Sequence, residues 1–152
     1  MGDFVFLRNN DPIPADIVII STSEPENMCF IETKNLDGET NLKIRKGIHE
    51  LRHITTPKKC STIKFVIDSE PPNVNLFTYN AVLIAKPVKS PQVVLPIGPN
   101  GILLRGCHIR NTAWVIGVVV YTGEDTKILL NAGDTPTKRS LIDRLINPTV
   151  NS

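Results

Sequence analysis

Asp37-Gly38-Glu39-Thr40 is the segment of this chain whose residue types could act together on a substrate. Asp-Gly is the two-residue signal of a tight hairpin, so Asp37-Gly38 is expected to reverse the chain between two strands. Such a turn presents the Glu39 carboxylate at its tip. Gly38 would let the backbone approach a phosphate closely, and Thr40 adds a hydroxyl. A carboxylate placed this way can orient and deprotonate a water for in-line attack on a phosphoryl group. The plainer alternative is a β-turn whose acids are simply solvated.

A second pattern is His49-Glu50-Leu51-Arg52-His53, which matches the H-E-x-x-H zinc-protease motif. Histidines four apart share one face of a helix and can hold a zinc ion, with the glutamate as general base. The helix available for this is short. Gly47 stands at one end and Thr55-Thr56-Pro57 at the other, and Arg52 would place a cation beside the metal. Zinc catalysis is therefore the remote reading, and no metal site is expected. Cys60, Cys107 and His108 show no ligand spacing. No phosphate-binding P-loop, dinucleotide fingerprint or nucleophile elbow occurs, so the chain carries no nucleotide motif of its own.

From Lys43 to Lys64 there are seven Lys and Arg against a single acid, Glu50. A reader of nucleic acid would want stacking aromatics among these bases, and only Phe65 is near, so no nucleic-acid partner is expected. The stretch is either a solvated face or a surface that docks an acidic partner or an anionic membrane. The second option makes the chain a β-rich binding module, the main alternative to a catalytic role.

The elements that must position these residues are mostly strands. Phe4–Leu7, Asp16–Ile20, Met28–Thr33, Ile63–Ile67, Ala81–Ala85, Gln92–Leu95, Ile102–Arg105 and Ala113–Tyr121 are rich in β-branched or aromatic residues. Twelve prolines punctuate the chain between them. Short strands at this spacing predict a sandwich, jelly roll or barrel. Helices are expected only over Gly47–Ile54, Glu124–Leu130 and Ser140–Ile146.

At 152 residues the chain can hold one domain with its own core. Its 21% charged residues, of both signs, exclude wholesale disorder. The longest uncharged stretches, Pro71–Ala85 and Ser90–Leu104, are broken by proline and shorter than the roughly 20 residues a spanning helix needs. The N-terminus has no signal-peptide pattern, and three cysteines without a C-x-x-C pair suit a reducing compartment. The expectation is a cytosolic domain.

Leu36-Asp37-Gly38-Glu39-Thr40-Asn41-Leu42-Lys43 resembles the signature loop of the actuator domain in P-type ATPases, in particular those of the phospholipid-flippase class. Further blocks agree in order. Gly2–Leu7 with Asn10–Asp16 resembles the family's opening strands, and Cys29–Asn41 the lead into the loop. Leu103–Cys107, Arg110–Gly117, Tyr121–Lys127 and Lys138-Arg139-Ser140 resemble its later segments.

The resemblance implies a mainly β, distorted jelly-roll or double-stranded β-helix-like actuator domain over residues 1–138. Residues 139–152 would begin the linker to the third membrane span. It implies that Glu39 is the catalytic residue, positioning and activating the water that hydrolyses an aspartyl-phosphate on another domain. Gly38 would permit close approach, and Asp37 and Thr40 would hold the loop or touch the phosphorylation domain. The implied partners are the phosphorylation and nucleotide-binding domains of the same chain, the membrane spans, and a two-span accessory subunit. ATP and Mg²⁺ would belong to the full-length parent, with no cofactor in this domain. The parent would lie in a Golgi, endosomal or plasma membrane with this domain on its cytosolic face. The isolated domain is expected to hydrolyse neither ATP nor acyl phosphate.

Overall fold

In a computed structural model of the chain, the described residues are 3–52, 54–56, 58, 63–87 and 91–133. They form ten strands and two short helices. The strands are β1 (Phe4–Arg8), β2 (Asp16–Thr22), β3 (Met28–Glu32), β4 (Lys43–Lys46), β5 (Ile63–Ser69), β6 (Ala81–Pro87), β7 (Val93–Ile97), β8 (Ile102–Leu103), β9 (His108–Arg110) and β10 (Trp114–Tyr121). The helices are α1 (Lys34–Asp37) and α2 (Lys127–Gly133).

All pairings between these strands are antiparallel, in three sheets with orders β1-β10-β2-β8, β4-β3-β9 and β5-β6-β7. The mainly β class expected from the sequence is what the chain adopts.

The first sheet holds the centre of the core. Every residue of β2 is buried, as are all residues of β10 after Trp114. Their near-continuous runs of isoleucine and valine suit strands covered on both faces. The two strands approach so closely at Gly117 that a Cβ there would lie 2.3 Å from Ile17 Cγ2 and 2.8 Å from the Val18 carbonyl oxygen. The register shifts at that point, a bulge that only glycine fits. The third sheet is half-solvated. Leu83 and Ala85 of β6 are buried, while Val66 and Val94 on its flanking strands are exposed. Pro96 lies on β7, which among the described residues pairs with β6 alone, an edge position that tolerates proline.

The second sheet carries the site. Glu32 at the end of β3 pairs with His108, and its carboxylate meets the Arg110 guanidinium at 2.6 Å. β4 returns antiparallel on the other side, with Ile31 opposite Lys43. The segment between them, residues 33–42, is the connection that contains Asp37–Thr40.

Several expectations need correction. Asp37-Gly38 is not a two-residue hairpin turn. Asp37 closes α1 and Gly38 is its left-handed C-cap at φ 76°. Asp-Gly serves both uses because each needs a residue that tolerates positive φ. Gly47–Ile54 is not an α-helix. It contains a single 3₁₀ turn, His49–Leu51, which buries Leu51 alone. The helix expected from Glu124 begins only at Lys127, after a 3₁₀ turn over Gly123–Asp125. Two strands, β4 and β9, were not expected. The Ser140–Ile146 helix, the 139–152 linker, His53, Lys59 and Cys60 lie outside the described residues.

Candidate functional site

α1 is one turn long, and its bonds explain both of its ends. The Thr33 carbonyl accepts the N–H groups of Leu36 (2.8 Å) and Asp37 (3.0 Å). Gly38 N–H then closes back on the Lys34 carbonyl at 2.9 Å. The left-handed Gly38 stops the helix and turns the chain outward. A Cβ at Gly38 would meet nothing within 4 Å, so conformation, not crowding, calls for glycine here. Leu36 packs against the core, and the Asn35 side-chain amide donates to the Gly106 carbonyl at 3.2 Å. The turn is thus tied to the domain on both sides.

Asp37 organises the loop tip. Its Oδ1 accepts the Glu39 backbone N–H at 2.9 Å. The Thr33 hydroxyl donates to the same carboxylate, 2.9 Å from Oδ1 and 3.1 Å from Oδ2. Glu39 itself points to solvent, with about half of its side chain exposed (54%), and its carboxylate is ion-paired with the Lys43 ammonium. Glu39 and Lys43 are four residues apart, yet no helix joins them. The pair forms because the loop folds back into β4. Thr40 is exposed.

The loop therefore brings Asp37, Gly38 and Glu39 into one connected unit and leaves Thr40 at its open side. The Glu39 N–H is already taken by Asp37, so that amide is not free to cradle an anion. What the tip offers is an accessible carboxylate with a neighbouring cation. A general base must reach the proton it removes, directly or through one water. An exposed carboxylate such as Glu39 is open to a group brought to the tip from outside the loop.

Apolar side chains flank the tip. Leu42 and Ile44 are exposed on the outgoing arm, and Phe77 is 75% exposed. Phe77 lines a shallow cleft together with Thr33, Leu36, Asp37 and Arg45.

The other candidates separate. His49 and Glu50 are exposed on the 3₁₀ turn, and His53 lies outside the described residues. Among the described residues no three His, Cys, Asp or Glu side chains group closely enough to hold a metal ion. Cys29 and Cys107 are buried free thiols, each pushed up to about 12 by burial, and so unreactive. Of the described bases in the Lys43–Lys64 stretch, Lys43, Arg45 and Lys46 lie on β4 and Lys64 on β5, while Arg52 and Lys58 belong to neither strand. Among the described residues no helix is long and apolar enough to cross a membrane.

Sequence reasoning missed two participants. Thr33 reads as the last residue of a strand, and Lys43 as one of many bases. Only the i, i+4 spacing of Thr33 to Asp37 and of Glu39 to Lys43 hinted at either.

No family model matches the chain. It is 50% identical over 154 residues to the phospholipid-transporting ATPase DNF1 of Chaetomium thermophilum, covering 97% of this chain and 10% of that protein. It is 49% identical over 151 residues to the phospholipid-transporting ATPase DNF1 of Saccharomyces cerevisiae, covering 99% and 10%. It is 42% identical over 147 residues to the phospholipid-transporting ATPase DRS2 of the same yeast, covering 97% and 10%. The chain spans about a tenth of the length of these curated relatives. Over essentially its whole length it is homologous to one segment of the phospholipid-transporting ATPases.

Proposed function

We propose that this segment of a phospholipid-transporting ATPase is the actuator domain of a P-type flippase, and that its Asp37–Thr40 loop promotes hydrolysis of an aspartyl-phosphate on the phosphorylation domain. Forming a covalent phosphoenzyme splits ATP hydrolysis into two easier steps, and the second needs an activated water. Glu39 supplies the base. It orients the water and takes its proton as the acyl-phosphate bond breaks. Gly38 turns the tip outward, Asp37 holds the Glu39 backbone, and Thr40 faces the docked domain. The observation that carries this reading is the accessible Glu39 carboxylate on a loop tied down through Thr33, Asp37 and Asn35.

The distorted jelly-roll wrapping belongs to the same proposal, as do the actuator range 1–138 and the linker over 139–152. So do rigid-body coupling to the membrane spans, the accessory subunit, and a cytosolic setting on a Golgi, endosomal or plasma membrane. ATP and Mg²⁺ are assigned to the other domains of the parent.

Steady-state labelling of the full-length protein with ATP tests the reading. Glu39→Gln should accumulate phosphoenzyme and lose lipid-stimulated turnover. Normal turnover in that variant would sink the proposal.

A further inference from the structure

Thr33 stands where a helix N-cap is normally found, yet its side chain makes no cap to the first turn of α1. A threonine in that place usually accepts an N–H from the second or third helical residue. Here the hydroxyl is turned along the helix and donates to the Asp37 carboxylate at the far end, 2.9 and 3.1 Å from its two oxygens. Thr33 is 3% exposed, whereas Asp37 is exposed. The bond therefore runs from a side chain fixed in the core to one that would otherwise sample several rotamers. Asp37 passes the constraint on by accepting the Glu39 N–H at 2.9 Å.

We propose that Thr33 is a positioning residue for Glu39, acting through the Asp37 carboxylate. It touches neither water nor phosphate. Its effect is to fix the Asp37 rotamer, and with it the backbone direction at Gly38-Glu39, so that the base meets the docked phosphoryl group already aimed. Misplacement of a reacting group by about 1 Å can cost on the order of a hundredfold in rate. The main chain around Thr33 has independent support. Its carbonyl holds the first turn of α1, and Glu32 before it is ion-paired to Arg110. Loss of the hydroxyl alone should leave the turn in place. The inference rests on the reading of Glu39 given above.

The test is phosphoenzyme decay in the full-length protein. Thr33→Val keeps the shape and removes the donor. It should form phosphoenzyme at the normal rate and lose it about tenfold more slowly, the span expected for one hydrogen bond to a charged group. Thr33→Ser should restore the rate. Asp37→Ala breaks the same relay from its exposed end, where folding is not at risk, and should slow decay at least as much. Combined with Glu39→Gln, Thr33→Val should add nothing, because both changes act on one base. Wild-type decay in Thr33→Val and Asp37→Ala, or an additive effect on Glu39→Gln, would overturn the inference. If Glu39→Gln is slow while Thr33→Val and Asp37→Ala are normal, this inference alone fails. If Glu39→Gln itself decays normally, the underlying reading fails with it.

Discussion

Asp16 and Lys127 lie together in the interior, while Glu39 and Lys43 meet at the surface, and the same two side-chain chemistries do opposite work. Asp16 is fully buried and accepts two backbone N–H groups, from Arg105 at 2.9 Å and from Lys127 at 2.8 Å. The Lys127 ammonium, also buried, donates to the Asn73 carbonyl and side-chain oxygens at 3.3 and 3.0 Å. Burial pushes the Asp16 carboxyl up, with the two N–H donors and the nearby cations opposing it, and pushes the Lys127 ammonium down, opposed by Glu70 and Asp16. These charges are spent on joining β2, the 105 turn, the 70–75 loop and α2. Glu39 and Lys43 join little beyond their own loop, and an exposed ion pair of this kind contributes at most about 1 kcal/mol. An interior charge is costly and fixed. A surface charge is cheap to release, as the base proposed at Glu39 would have to be.

One substitution in each region sharpens this contrast. Asp16→Ala leaves two backbone N–H groups, one buried and one part-buried, without an acceptor and should cost about 2–5 kcal/mol in urea unfolding. A loss under 1 kcal/mol would mean that Asp16 is not the joint described. Gly38→Ala comes next. It forces a Cβ into the left-handed region and should cost about 1–2 kcal/mol of loop or domain stability, even though the space there is open. An unchanged urea midpoint would show that the loop relaxes to another conformation.

The interior pair also makes stability depend on pH. Lys127 has its pKa lowered from 10.5, so the folded chain holds that proton less tightly than the unfolded chain. Between the lowered value and 10.5 the unfolded state binds more protons, and stability should rise with pH. Lys127→Met should remove that rise. Asp16 has the opposite sign. Its raised pKa means that its cost is full above the folded value and fades as pH falls toward 3.8. The smallest effect is expected at Lys43→Ala, roughly 0.2–1 kcal/mol and weaker still in high salt. A loss as large as that of Asp16→Ala would erase the distinction between the two regions.

The legibility of the sequence follows the same division. β2 and β10 announce themselves because isoleucine and valine runs leave few alternatives to a buried strand. β4 (Lys-Ile-Arg-Lys) and β9 (His-Ile-Arg) are short and charged, and they become strands only because β3 pairs with both. The position of Glu39 in a surface loop could be read from Asp37-Gly38, but the turn type could not. A hairpin and a helix C-cap make the same demand on that dipeptide. Only the i, i+4 spacing hints at the Thr33–Asp37 bond, because it reverses the usual direction of a threonine cap. The buried role of Lys127 is equally hidden, since a lysine among polar neighbours reads as solvated until Asn73 is seen to hold it.

The most direct test of the central claim is a pulse–chase of phosphoenzyme in the full-length protein, wild type against Glu39→Gln, with unfolding of both followed in parallel. The account predicts normal phosphorylation, decay slowed by roughly 10²–10⁴, about 3–5 kcal/mol in barrier, and a loss of stability no larger than that of Lys43→Ala, which breaks the same ion pair. Decay at the wild-type rate would contradict it and reduce Asp37–Thr40 to a capped surface turn.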